Sequence, residues 1–171
     1  RMKNLQSVLL VLLAAGAVRF DLREGRIPNG LILAGLGAGF VWQTIARGPA
    51  GILFFLGGAG LPVVFLWGLF FFRMIGAGDI KLLAAAGGLL GIGGSALCAA
   101  WAVGAGAVYA LAFLVWRGEL KKRLWYFWAY VYRYAQTREW KPYICGENVD
   151  SHFCFSVPVL ISICFYVGGA Y

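Results

Sequence analysis

The sequence predicts an all-α, polytopic membrane protein with about six transmembrane helices and an amphipathic segment at the cytoplasmic face. Three observations predict it. The 171 residues are 61% hydrophobic and only 13% charged, whereas a soluble domain is roughly half apolar and a quarter charged. Mean hydropathy is +0.78. The charges cluster and leave long uncharged tracts, such as residues 82–116. A spanning helix needs about 20 apolar residues, so this length accommodates roughly six spans and little soluble mass. The short alternating segments of a membrane β-barrel are not seen. Residues 1–171 therefore read as a single membrane-embedded domain, with 117–152 as a basic and aromatic loop within it.

Leu5 to Phe20 forms the first expected span, followed by the polar cluster Arg19 to Arg26. This run reads as a retained helix rather than a cleaved signal, because an arginine-rich loop follows it instead of a small-residue cleavage site. Ile27-Pro28-Asn29-Gly30 breaks the helix and sets up the next, since proline suits a helix start but not its middle. Leu31 to Ala46 is the second span, with Gly35 and Gly39 spaced for close helix packing. Arg47-Gly48-Pro49 is a tight turn. Ala50 to Phe72 is the third span, with a kink expected at Pro62 and Arg73 as an interfacial anchor.

Asp79 opens the fourth span, Ile80 to about Leu90. A hairpin turn is expected over Gly91-Ile92-Gly93-Gly94-Ser95, and Ala96 to Trp116 is the fifth span. The split follows from length, because 82–116 is too long for one crossing. Arg117 to Ser151 interleaves lysine and arginine with Trp125, Tyr126, Trp128, Tyr130, Tyr132 and Tyr134. That mixture suits a helix lying at headgroup level, in preference to an extension of the fifth span. Phe153 to Gly169 is the sixth span, with Pro158 inside it.

The net charge of +8 reads as loop anchoring in the membrane rather than nucleic-acid binding. Cys98, Cys145, Cys154 and Cys164 form no C-x-x-C pair, and His152 is the only histidine. A zinc site needs about four spaced nitrogen or sulfur ligands, so neither metal nor cofactor is expected. Cys98 and Cys164 lie in apolar runs as packing residues. Cys145 and Cys154 could pair, but free thiols on a reducing face are preferred.

With six spans, both termini share one side. That side holds Arg1, Lys3 and Arg47; the other holds the remaining 12 basic residues. The excess of lysine and arginine marks the cytoplasm, so both termini are expected outside. The inference survives the loss of Arg1. It places Asp21 and Asp79 on the same, cytoplasmic side, each at a helix end.

Two neighbouring carboxylates can hydrolyse a peptide bond. The charged one activates a water; the neutral one donates to the carbonyl oxygen. Close like charges separate the two ionisations, so one acid keeps its proton and the pair titrates as a unit. Each aspartate also has a plainer reading. Asp79 could be a helix N-cap. Asp21, between Arg19 and Arg23, could be a solvated ion pair, although the helix dipole disfavours an acid at that end. Lys81 reads first as a cytoplasmic anchor and second as a group that tunes Asp79. Glu24, Glu147 and Asp150 are weaker candidates for a second acid.

Gly76-Ala77-Gly78-Asp79 resembles the G-x-G-D motif of intramembrane aspartic proteases. Asp21 followed by Arg26-Ile27-Pro28-Asn29 is similar to the first aspartate region of the type IV prepilin peptidases. Asp79-Ile80-Lys81 opening the fourth span, six expected spans and Ser156-Val157-Pro158 in the sixth fit the same family. The resemblance covers nearly the whole chain and is weakest over Arg117 to Ser151.

The resemblance implies cleavage of basic leader peptides from prepilins, substrates with a hydrophobic helix just after the cut. Asp21 and Asp79 would be the catalytic dyad, with Gly76, Gly78, Lys81, Pro28 and Asn29 shaping the site. Larger bacterial members carry a four-cysteine zinc region and also N-methylate the trimmed pilin. This chain has no such region between its first two spans, so peptidase activity without methyltransferase activity is expected. It resembles the short peptidases of tight-adherence (Flp-type) pilus systems and archaeal preflagellin peptidases. Presenilin-like and signal-peptide-peptidase relatives rank second, since Phe20, not tyrosine, precedes Asp21. A non-catalytic assembly subunit or a small proton-coupled transporter stands as the alternative of another class. A proton relay would place acids near mid-span, whereas these lie at span ends or in loops. The expected partners are thus a prepilin substrate and membrane lipids.

Overall fold

The computed structural model describes residues 2–71, 75–116 and 155–169, with a few isolated positions between 118 and 132. Most of those residues are helical, and no strand occurs among them. Among the described residues five helices follow in order: α1 (Met2–Glu24), α2 (Asn29–Arg47), α3 (Ala50–Phe71), α4 (Ala77–Trp116) and α5 (Ser156–Val167). The first four are long and apolar enough to cross a membrane; α5 is a shorter apolar helix. Their outer faces carry side chains that water would not tolerate in such number. On α3 alone, Leu53, Val64, Phe65 and Phe71 are each more than 70% exposed.

Two compact units are present: Arg1–Gly106 with Cys154–Tyr171, and Ala107–Phe153. In the second, the described residues are the end of α4 and isolated positions that include the exposed Trp125, Trp128 and Tyr132. The amphipathic segment expected over 117–152, the anchor Arg73, and Cys145 and Cys154 otherwise lie outside the described residues. The first unit contains α1, α2, α3, α5 and α4 up to Gly106. Within it α2 packs on α3, and α1 packs on α5 and α2.

Helix boundaries follow local chemistry. Gly25 ends α1 with a positive φ of 61° and donates its N–H to the Asp21 carbonyl at 2.9 Å. This is the left-handed cap that glycine adopts without a side-chain penalty. The helix therefore runs one turn past Phe20, and Asp21 sits in its last turn. Pro28, extended at φ −66° and ψ 135°, precedes α2; its carbonyl accepts from Leu31 at 3.1 Å. Pro62 lies buried inside α3, which runs through it.

The hairpin expected over Gly91–Ser95 is a single residue instead. Gly91 alone leaves helical geometry, with φ 77° and ψ −178°. The chain nevertheless turns back there. Residues eight apart in a straight helix are separated by about 12 Å, yet a Cβ on Gly87 would stand 2.5 Å from Ser95 Oγ. One positive-φ glycine thus replaces a five-residue turn, and α4 is two arms, 77–90 and 92–116. By helix length alone α4 is one span; its geometry is that of a folded-back pair.

The first arm is the centre of the fold. Every residue from Leu82 to Gly91 is buried, as expected of a helix apolar on all sides. Its alanines and glycines let neighbours approach closely. Gly35 of α2 faces Ala85, and Gly39 faces the backbone of Gly88 and Leu89, so the small-residue pair of the second span does pack as its spacing predicts. Gly58 of α3 lies directly against the Gly87 carbonyl.

Breaking the helix at Gly91 frees carbonyls that an apolar surrounding cannot satisfy. Two glutamines from other helices fill the gap. Buried Gln43 of α2 donates to Leu89 O at 3.0 Å, and Gln6 of α1 donates to the same oxygen at 2.8 Å. Ser95 Oγ, just past the break, donates to Gly58 O at 2.6 Å. These contacts hold the Gly91 end of the fold. The other end is where the aspartates are.

Candidate active site

Asp79 is the third residue of α4, not the residue before the helix, so it is not an N-cap. Its carboxylate accepts the Gly76 backbone N–H. An acid three residues into a helix reaching back to a free amide is the reciprocal half of a capping box. The capping reading of this aspartate is thereby partly realised, one position pattern over. The contact presses on Gly76: a Cβ there would lie 3.1 Å from Asp79 Oδ2. Gly78 is less confined, its Cβ position being 3.8 Å from Ile27 Cδ1.

Asp21 is half-buried in the last turn of α1, while Arg19, Arg23, Glu24 and Arg26 around it are exposed. Among the described residues its carboxylate is bonded by Ser156, whose Oγ donates to Asp21 Oδ2 at 2.5 Å. Ser156 opens α5 and is fully buried. The sequence marks Ser156 as part of the Ser156-Val157-Pro158 stretch of the expected sixth span. Nothing in that pattern names Asp21, 135 positions away, as its acceptor.

The two aspartates come to one end of the first unit. Asp21 is close enough for its charge to act on Asp79. The sequence offers no residue-to-residue measure of that approach, because it rests on how α1 and the first arm of α4 pack. Three further contacts fix the same end. Lys81 Nζ donates to Asn29 Oδ1 at 3.2 Å, joining the start of α4 to the start of α2. Ile27, beside Pro28, lies against Gly78. A Cβ on Gly106 would stand 2.6 Å from the Phe155 ring, so the second arm of α4 returns to this end as well. Of the residues expected to shape the site, Gly76 touches Asp79 and Gly78 meets Ile27, while Lys81 and Asn29 are bonded to each other.

Of the weaker acids, Glu24 points to solvent, and Glu147 and Asp150 lie outside the described residues. Cys98 is buried and Cys164 exposed, so only the first behaves as a packing residue within the fold. Among the described residues no three of histidine, cysteine, aspartate and glutamate cluster as metal ligands would.

Chemically, this end of the fold offers two carboxyl groups near each other, each holding one donor on one side. Such a pair can divide base and acid roles over a water. The model of the type IV leader peptidase family matches residues 7–111, well over half of the chain. The match takes in both aspartates, the segment that joins α1 to α2, and both arms of α4 up to Leu111. No curated protein and no solved structure matches the chain.

Proposed function

The chain belongs to the type IV leader peptidase family, and from that premise we propose that it is an aspartic endopeptidase that removes the basic leader of Flp-like prepilins. Asp21 and Asp79 are the dyad. One carboxylate takes a proton from a water held between the two. The oxygen of that water bonds to the scissile carbonyl carbon while the second acid donates its proton to the carbonyl oxygen. Collapse of the tetrahedral species breaks the C–N bond, and the amine of the trimmed pilin leaves with a proton from the pair. No metal or cofactor takes part in this scheme, and methylation of the new amine is not among its steps.

The observation that supports the reading is the convergence of Asp21 and Asp79, from the last turn of one helix and the first turn of another. Capping does not require a second acid at this end of the fold. The surroundings favour the cytoplasmic face: Arg19, Arg23, Arg26 and Lys81 are exposed at this end, and basic loops stay inside. Counting α4 as two arms, six crossings put both termini outside. Residues 117–152 then form a cytoplasmic loop of the same peptidase domain.

Incubating the purified protein in liposomes with a prepilin-like substrate, and mapping the new N-terminus by mass spectrometry, tests this. A single cut between leader and hydrophobic helix is expected. Cuts within the hydrophobic helix would instead favour a presenilin-like activity.

The two glycines of the motif are expected to differ. Gly76→Ala places a methyl 3.1 Å from Asp79 Oδ2 and displaces a reacting group. A misplacement of ~1 Å costs about 100-fold, so a loss of roughly tenfold in kcat is expected for a shift of a few tenths of an ångström. Gly78→Ala meets only ordinary contact and is expected to stay within about twofold. Initial cleavage rates of the two variants, measured side by side, check the contrast.

A further inference from the structure

Resting on the reading of Asp21 as half of the dyad, we infer that Ser156 is a positioning residue of the reaction, holding one oxygen of Asp21 so that the other is presented to the water. Serine near a helix start ordinarily spends its hydroxyl on its own free amides. Ser156, the first residue of α5 after the N-cap Phe155, instead donates its Oγ to Asp21 Oδ2.

The donor is itself fixed. Ser156 is 0% exposed, and Phe155, Pro158 and Val159 on either side of it are buried. Phe155 fills the space over Gly106, where a Cβ would stand 2.6 Å away. Pro158 has no N–H and a restricted φ, which stiffens the first turn. The serine rotamer is therefore locked by packing, as a group that orients a reacting side chain has to be.

Asp21 is held from two sides. Its backbone carbonyl accepts from Gly25 in the α1 cap, and its carboxylate accepts from Ser156. With the backbone anchored and Oδ2 bonded to Ser156, the orientation of the carboxylate is restrained. Among the described residues Oδ1 accepts no side-chain bond, and it is the oxygen presented to the water. Asp79 has its own donor in the Gly76 amide, so each acid of the pair keeps one oxygen engaged. α5 thus supplies part of the site, although it lies beyond the residues matched by the family model.

The experiment compares Ser156→Ala, Ser156→Thr and Ser156→Val with wild type and Asp21→Asn, using a prepilin-like substrate in liposomes. Threonine and valine have the same shape, and only threonine keeps the hydroxyl. Expected are a loss of about tenfold in kcat for Ala and Val, with KM within about twofold, and a threonine variant at least severalfold faster than the valine one. Threonine and valine variants of equal kcat would overturn the inference. So would an alanine variant with wild-type kcat, or one in which only KM moves. The alanine arm stands if the larger side chains fail to fold, and the threonine–valine comparison stands if alanine does. Full cleavage by Asp21→Asn would mean that the dyad reading itself has failed. Loss in Asp21→Asn with no loss in Ser156→Ala would mean that only the serine inference has.

Discussion

Asp79→Asn and Asp21→Asn are each expected to lower the rate of leader cleavage by about 10²–10⁴-fold, the span of general acid–base contributions, with the fold retained. Asparagine has the shape of aspartate but can neither take a proton from water nor supply one. At Asp79 the amide oxygen can still accept the Gly76 N–H, and at Asp21 it can still accept from Ser156. The contacts that hold the two helix ends therefore survive the exchange, and only proton transfer is lost. The check is single-turnover cleavage of a prepilin-like substrate, beside a melting curve of each variant in detergent. A scaffold or assembly subunit would show no such loss.

Gly58→Leu is expected to cost the fold itself. A Cβ on Gly58 falls within contact distance of the Gly87 carbonyl oxygen and 2.9 Å from Gly91 Cα. Both are backbone atoms, so no side chain can swing aside. Overpacking of a tight core costs about 1–3 kcal/mol, and a full leucine against fixed backbone belongs at or above the top of that range. The first arm of α4 would be pushed off α3, and Asp79 stands at its other end. Gly60→Leu on the same helix is the control, because nothing lies within 4 Å of its Cβ position. Monodispersity and melting temperature in detergent separate the two: loss is expected for Gly58→Leu and near-wild-type behaviour for Gly60→Leu.

Much of this architecture is legible from composition and spacing, and the exceptions have physical causes. Hydropathy and charge clusters locate α1, α2 and α3 to within a few residues. The Gly35 and Gly39 spacing announces a close helix contact, although not that the partner is the first arm of α4. The turn near Gly91 is legible in place but not in length. A glycine-rich stretch signals a break, while its minimum size depends on whether the freed carbonyls find donors. Here Gln43 and Gln6 are those donors, one 46 and the other 83 residues from Leu89. Asp79 is visible as an isolated charge between apolar runs. Its bond to Gly76 is not, because whether helix α4 begins before or after Ala77 decides which capping role the acid takes. The bond from Ser156 to Asp21 is the least legible of all, since only the packing of α5 on α1 brings the two together.

In the proposed reaction two carboxyl groups in opposite protonation states share one water. The pH dependence of kcat/KM for leader cleavage, over about pH 4 to 9, tests it most directly, bracketing the range in which perturbed carboxyl groups titrate. The account predicts a bell. The rate rises with pH as the base of the pair loses its proton, then falls as the acid of the pair loses the proton it must donate, and both limbs belong to the pair rather than to either residue. A flat profile, or one with a single limb while the protein stays folded at both extremes, would contradict it.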